Sequence, residues 1–355
     1  MTELSPVKYI EYDKDRIEQG VHGKMRRVAI DQHGKIQGIH HPNNTNLWED
    51  ETEVSWEEYE SNGWNCMVQI PQVYYRVEYG TYKELEDVRR WSVSSAPAED
   101  YKLHPAFDRP DGIHNYQYIS AFEGWVDEHQ RLRSLPNKET SNNKTLDDFR
   151  THARMNSAEG WAQQDFMLTS LIQLLFIAEY GTLNSQEILG MGGSNQNTGR
   201  SLTNGNHSTN KGTSNYVSYR GIENIFSNKY KWIDGVNINN HEWFVSGNYK
   251  TYETDKYTGD YKSFATAPSS NGNIRDMHKL QGNKDFGFIP SEINGSYNQD
   301  GFCDYYGQSS GKRVLSFGGS SGSAYAGLFY WGVDDSASNA IASIGARLQF
   351  FESLE

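Results

Sequence analysis

Side chains suited to holding a ligand gather late in the chain: Arg313, Ser316, Ser320, Ser321, Ser323, Tyr325, Tyr330 and Asp334. Tyrosine rings stack on the apolar face of a sugar, and serine and aspartate exchange hydrogen bonds with hydroxyls. Gly318, Gly319 and Gly322 stand among them and permit a tight, exposed loop whose side chains need not pack. Arg313–Phe317 and Ala326–Trp331 read as strands on either side. Two strands would hold the loop still and lower the ordering cost of binding.

Residues that could make or break bonds are scattered. Glu123 has no second acid at a fixed offset, so it reads as a structural carboxylate bonding the backbone of a turn. His40 and His41 are adjacent, which sends them to opposite faces of a strand and makes a poor metal pair. Cys66 and Cys303 lie far apart, with no CxxC, and read as two free thiols that could pair only if the fold joins them. Gly190-Met191-Gly192-Gly193 lacks the Lys-Ser or Lys-Thr of a phosphate loop. The chain therefore reads as a non-enzyme without a cofactor, although Asp and Asn oxygens in a loop could hold calcium.

Composition agrees with a binding protein. The 355 residues are 36% hydrophobic and 13% aromatic, with 23 Tyr and 9 Trp. The aromatic side chains bury large areas and offset the low apolar share. A net charge of −13 and no long run of Lys and Arg argue against nucleic acid as a partner. No apolar run approaches a membrane span, and the charged start of the chain reads as no signal peptide. Asn43, Asn143, Asn206 and Asn294 fit the glycosylation pattern and read as loop residues.

The elements that must carry these residues show in the periodicity. Val28–Ile30 and Ile36–Ile39, split by His33-Gly34, predict a hairpin. Val68 and Ile70, then Val73, Tyr75 and Val77 after Pro71, alternate as strand. Thr145 and Asp148 form a capping box for a short helix. Gln163–Tyr180 is apolar nearly all round and predicts a buried helix stopped by Gly181. Gly190–Asn215 has almost no apolar residue and predicts a long exposed loop. At the centre, Ser218–Asn239 predicts a helix start near Arg220, from Ile222, Ile225 and Phe226, then a strand closed by an Asp234-Gly235 hairpin turn. Trp232 reads as a core anchor of this stretch. Ile344, Ala346, Leu348 and Phe350 alternate as a core-facing strand that turns Arg347 and Gln349 outward.

The same central stretch carries a resemblance. Tyr219, Arg220, Gly221, Ile222, Glu223, Asn224, Asn228, Trp232, Asp234 and Gly235 match the central motif of phage virion proteins with a C-type-lectin-like (formylglycine-generating-enzyme-like) fold. Ser227 and Tyr230 stand where that motif has Gly and Trp. His104-Pro105-Ala106-Phe107 and Tyr116–Gly124 resemble further family segments. Gly318, Gly319, Gly327, Leu328, Phe329, Tyr330, Trp331, Ser338, Asn339, Ile344, Gly345, Arg347 and Leu348 match its closing motif, with Ser320-Ser321 in place of a Trp. The likeness extends over about residues 25 to 351.

The resemblance implies an α+β, C-type-lectin-like fold with two helices, short antiparallel strands and long loops. It implies an N-terminal attachment arm over residues 1–25 and a lectin-like domain with an N-terminal hairpin extension over 26–355. The implied function is a tail, baseplate or fibre-tip protein on the virion surface, binding a host-surface glycan, cell-wall polymer or protein without catalysis. The implied partners are other virion proteins, held through the arm, and further copies of the chain in a homo-oligomer, a trimer by resemblance. The alternative is a structural decoration or head-fibre protein with no host ligand. Formylglycine-generating enzymes share the fold but need two neighbouring late cysteines, and only Cys303 lies late here.

Overall fold

The computed structural model describes residues 18–82, 85–156, 159–194, 196–201, 216–276, 285–293, 304–320 and 325–352. Of the expected arm, residues 1–17 lie outside these, while Val21, His22 and Met25 are buried against the body. His22 Nε2 donates to the Leu175 carbonyl at 2.9 Å, tying this stretch to the interior.

In chain order the elements begin with β1 (Arg26–Ile30), β2 (Ile36–His41), β3 (Asn44–Trp48), α1 (Trp56–Asn62), β4 (Asn65–Pro71), β5 (Tyr74–Tyr82), β6 (Leu85–Ser94) and β7 (Tyr116–Ser120). Then come α2 (Leu146–Arg154), β8 (Trp161–Gln163), α3 (Phe166–Tyr180), α4 (Ser185–Leu189), β9 (Ser218–Tyr219), β10 (Ile222–Glu223), β11 (Tyr230–Asn239), β12 (Glu242–Val245) and β13 (Lys262–Thr266). The last are β14 (Gly272–Asp276), β15 (Glu292–Ile293), β16 (Tyr305–Gln308), β17 (Lys312–Phe317), β18 (Trp331–Val333), β19 (Ile344–Gly345) and β20 (Leu348–Phe351).

Local chemistry sets the helix ends. Thr145 and Asp148 form the expected capping box on α2. Asp165 caps α3 by accepting from the Leu168 amide, and Gly181, in the left-handed region, stops it. The starting residues Gln163 and Gln164, expected in that helix, belong instead to β8 and the cap. Every side chain of α3 from Phe166 to Glu179 is buried, as the all-round apolar pattern requires. Among the described residues no helix is long and apolar enough to cross a membrane.

Most of these strands form two large, mostly antiparallel sheets, so the protein is α+β. One has seven strands in the order β8-β20-β7-β4-β1-β2-β3. The expected hairpin is β1–β2, and β1 also pairs along its whole length with β4. The other sheet runs β13-β12-β11-β17-β18-β16-β14-β15, with β19 pairing in parallel beside β11. α3 packs its Phe166 ring against Trp243, Phe264 and Trp331 of this second sheet. A second core cluster joins Trp232, Phe149, Leu146, Trp161 and Phe350 beneath α2.

Several expectations yield to longer-range packing. The alternation around Pro71 splits into β4 and β5, which belong to different sheets. No helix starts at Arg220: β9 and β10 pair Tyr219 with Ile222 around a two-residue turn in which Arg220 and Gly221 both have positive φ. The Arg220 guanidinium reaches Glu179 at 2.5 Å, which offsets the strain of a left-handed arginine. Asp234-Gly235 is no hairpin turn either. It is a bulge inside β11, where Arg150 forks both Asp234 oxygens at 2.7 and 2.8 Å. The turn comes later, at Asn240-His241, both at positive φ. Ala326–Phe329 is a buried turn, and the expected strand shrinks to β18. Arg347 and Gln349 do not face outward: both are 0% exposed, because a second layer covers that side of the strand.

Candidate functional site

β17 and β18 bracket the loop expected to bind. Gly318 and Gly319 have φ of +86° and +73°, and a Cβ on Gly319 would sit 2.6 Å from that of Ala326. Only glycine fits there. The Gly318 amide donates to the Tyr330 carbonyl at 3.2 Å, while the Gly318 carbonyl accepts from the Ser227 amide. The loop base is therefore pinned on both sides.

Of the expected residues, Asp334 and Tyr325 are exposed, and Arg313, Ser320 and Tyr330 are half-buried. Ser316 is not available: it is 2% exposed, with its Oγ turned to the Gly332 carbonyl at 3.4 Å. Its position opposite Trp232 in the β11–β17 ladder faces it inward. Ser321 and Ser323 lie outside the described residues.

The fold adds two residues that the sequence reading left out, Tyr230 and Tyr305. Tyr230, at the start of β11, packs on Tyr330 with ring centroids 5.4 Å apart and hydroxyls 3.4 Å apart. Tyr305, at the start of β16, meets Tyr325 edge to face at 5.9 Å. The next residue, Tyr306, points the other way and is 0% exposed, as strand alternation demands. The two pairs adjoin, because the Tyr330 hydroxyl and the Tyr305 ring both flank Gly307, so four tyrosines from β11, β16 and the loop form one ridge, half-buried except at Tyr325. Burial, then the Tyr230 hydroxyl and the Asp334 carboxylate, hold the Tyr330 phenol well above its ordinary range. It remains a neutral donor at any ordinary pH. Such a ridge offers ring faces, hydroxyl donors and the Asp334 acceptor, the set that recognises a polyhydroxylated ligand.

Asp304 supports the ridge from below. It is 0% exposed, accepts from the Phe329 amide at 2.5 Å, and leaves its second oxygen without a hydrogen bond among the described residues. That oxygen presses on Gly327, where a Cβ would overlap the carboxyl. Burial pushes Asp304 up from 3.8 to about 8, although the Phe329 amide opposes the shift. A carboxyl whose pKa rises on folding contributes fully below its unfolded value, and its contribution is lost as pH rises toward the folded one. Asp304→Asn should therefore melt above the parent at pH 8, with the gap closing by pH 4 across the window from 3.8 to about 8. Equal pH dependence in the two proteins would show that Asp304 is ionised in the fold.

No family model matches the chain, and no curated protein matches it significantly.

The buried polar clusters elsewhere are structural. Glu123 is 0% exposed and bonds the side chains of Asn224, Asn228 and Lys231 rather than a turn backbone. The backbone role falls to Glu223, which accepts from the Gly199 and Ser201 amides at 3.0 and 2.5 Å. Part of the expected exposed loop is thus anchored, with Thr198 and Ser201 buried, while residues 202–215 lie outside the described ones. Cys66 Sγ lies 3.6 Å from His40 Nε2, the spacing of a thiol beside a base. Burial pushes the thiol up to about 12 and His40 down to about 3, so both stay neutral and sealed, and no thiolate forms. Cys303 lies outside the described residues. Among the described residues no group of three or more His, Cys, Asp or Glu could hold a metal ion.

Proposed function

We propose that this chain is a virion-surface protein of a phage, with a C-type-lectin-like fold, that binds a glycan or cell-wall polymer on the host without catalysis. The motif resemblance over most of the chain supports the family. One observation carries the binding reading: the ridge of Tyr230, Tyr330, Tyr305 and Tyr325, held on strand ends and an anchored loop and flanked by Asp334. Rigid aromatic side chains give contact area at low entropic cost. Attachment to other virion proteins, through the N-terminal arm, and assembly as a trimer complete the reading.

Tyr325 is 47% exposed, so removing its ring leaves the core intact. Tyr325→Ala should keep the parent's melting temperature and weaken adsorption of the purified protein to host cells about tenfold, the worth of one stacked ring. Adsorption equal to the parent's would remove the ridge from the binding face and favour a structural decoration.

A further inference from the structure

A second cleft opens on the seven-stranded sheet, built from residues other than those of the tyrosine ridge. It encloses about 790 Å³, within the range of small-molecule sites. Its walls include Lys24, Arg26, Arg220, Tyr116, Glu49 and Glu18. Arg220 is already neutralised by Glu179 and Glu18, at 2.5 and 2.8 Å. What remains in the lining is two cations, Lys24 and Arg26, against the single carboxylate of Glu49, and the second glutamate beside Arg220 brings the whole group to neutrality on a chain of net charge −13.

Arg26 is prepared for a ligand. It stands opposite Gln69 in the β1–β4 ladder, and Gln69 stands opposite Tyr118 in the β4–β7 ladder. Arg26 Nε donates to Gln69 Oε1 at 2.9 Å, and Gln69 Nε2 donates to the Tyr118 hydroxyl at 2.9 Å. Gln69 is 3% exposed and cannot move aside. The chain of bonds fixes the plane of the guanidinium. Its two terminal nitrogens carry no hydrogen bond to the described residues. A planar fork held from behind, with its outer donors unspent, matches a carboxylate or another planar oxyanion. The half-buried Tyr116 offers a ring for stacking, and Glu49 offers an acceptor for hydroxyls.

We propose that this cleft binds an acidic sugar residue, a hexuronate. Its carboxylate lies on the Arg26 fork, its ring against Tyr116 and its hydroxyls toward Glu49. The ligand and the site are independent of the host-binding reading of the ridge.

Calorimetry of the full chain with trigalacturonate, with neutral maltotriose and with inorganic phosphate tests this. Saturable binding is expected for the uronate alone. Arg26→Gln should weaken it roughly ten- to hundredfold, the worth of a charge-assisted pair of bonds, with unchanged melting. Tyr325→Ala should leave it as in the parent. The absence of uronate binding overturns the proposal, as does binding that Arg26→Gln leaves intact. Equal binding of maltotriose would remove the carboxylate from the argument, and phosphate binding as tight as the uronate's would reduce the cleft to a simple anion site. If Arg26→Gln fails to fold, Arg26→Lys serves: it keeps the charge without the fork, and undiminished uronate binding in it also overturns the proposal.

Discussion

Arg347→Ala is expected to destabilise the fold by about 3–5 kcal/mol, the cost of leaving buried charges without their partner. Arg347 is 0% exposed and donates through Nη1 to the Ser120 carbonyl at 2.9 Å and through Nη2 to that of Glu223. Burial lowers its pKa to about 10, opposed chiefly by the fields of Glu123 and Glu223. The alanine removes a cation from between two buried carboxylates and leaves two carbonyls from separate strands unpaired. It also opens a cavity where the side chain passed. Arg347→Lys keeps the charge but loses the fork, so it should lie between parent and alanine in urea unfolding. A midpoint unchanged in Arg347→Ala would mean that water, not the guanidinium, satisfies these groups.

Trp232→Ala ranks beside it, at about 3–5 kcal/mol for truncating a buried large aromatic. Trp232 is 0% exposed and donates its indole N–H to the Lys144 carbonyl at 3.1 Å. Its ring fills the cluster of Leu146, Phe149, Val314 and Ile344, which joins α2 to the second sheet. The loss is a large part of what a domain has to spare. The expected result is insoluble expression or a strongly lowered melting temperature, with Trp232→Phe milder because most of the cavity stays filled. A soluble alanine variant that melts with the parent would remove Trp232 from the core.

The tyrosine ridge was only partly legible in the sequence. Tyr325, Tyr330 and Asp334 could be found because loop glycines and polar aromatics mark an exposed turn within one short stretch. Tyr230 and Tyr305 carried no such mark: each is one tyrosine at a strand start, brought to the ridge by pairing with distant strands. Ser316 looked equally available, and only its place in the β11–β17 ladder turns it inward.

What the sequence determined by itself is what a few neighbouring residues decide. The capping box of Thr145 and Asp148, the stop at Gly181, the β1–β2 hairpin and the burial of α3 all follow from contacts within a turn or two, or from a side-chain pattern that admits one environment. Tertiary structure decided what depends on partners far along the chain. Ile222, Ile225 and Phe226 have helical spacing, yet the Arg220-Gly221 turn is locked by Glu179 on α3, and the segment forms a hairpin. Asp234-Gly235 has turn chemistry, yet Arg150 on α2 holds it as a bulge within a strand. Arg347 and Gln349 alternate as outward residues, yet the Glu223 carbonyl and the Asp165 amide, both from outside their sheet, cover that side and bond their side chains. Periodicity reports which side chains share a face. Whether that face meets water or another layer is fixed only when distant hydrogen-bond partners arrive to satisfy the charges that burial would otherwise penalise.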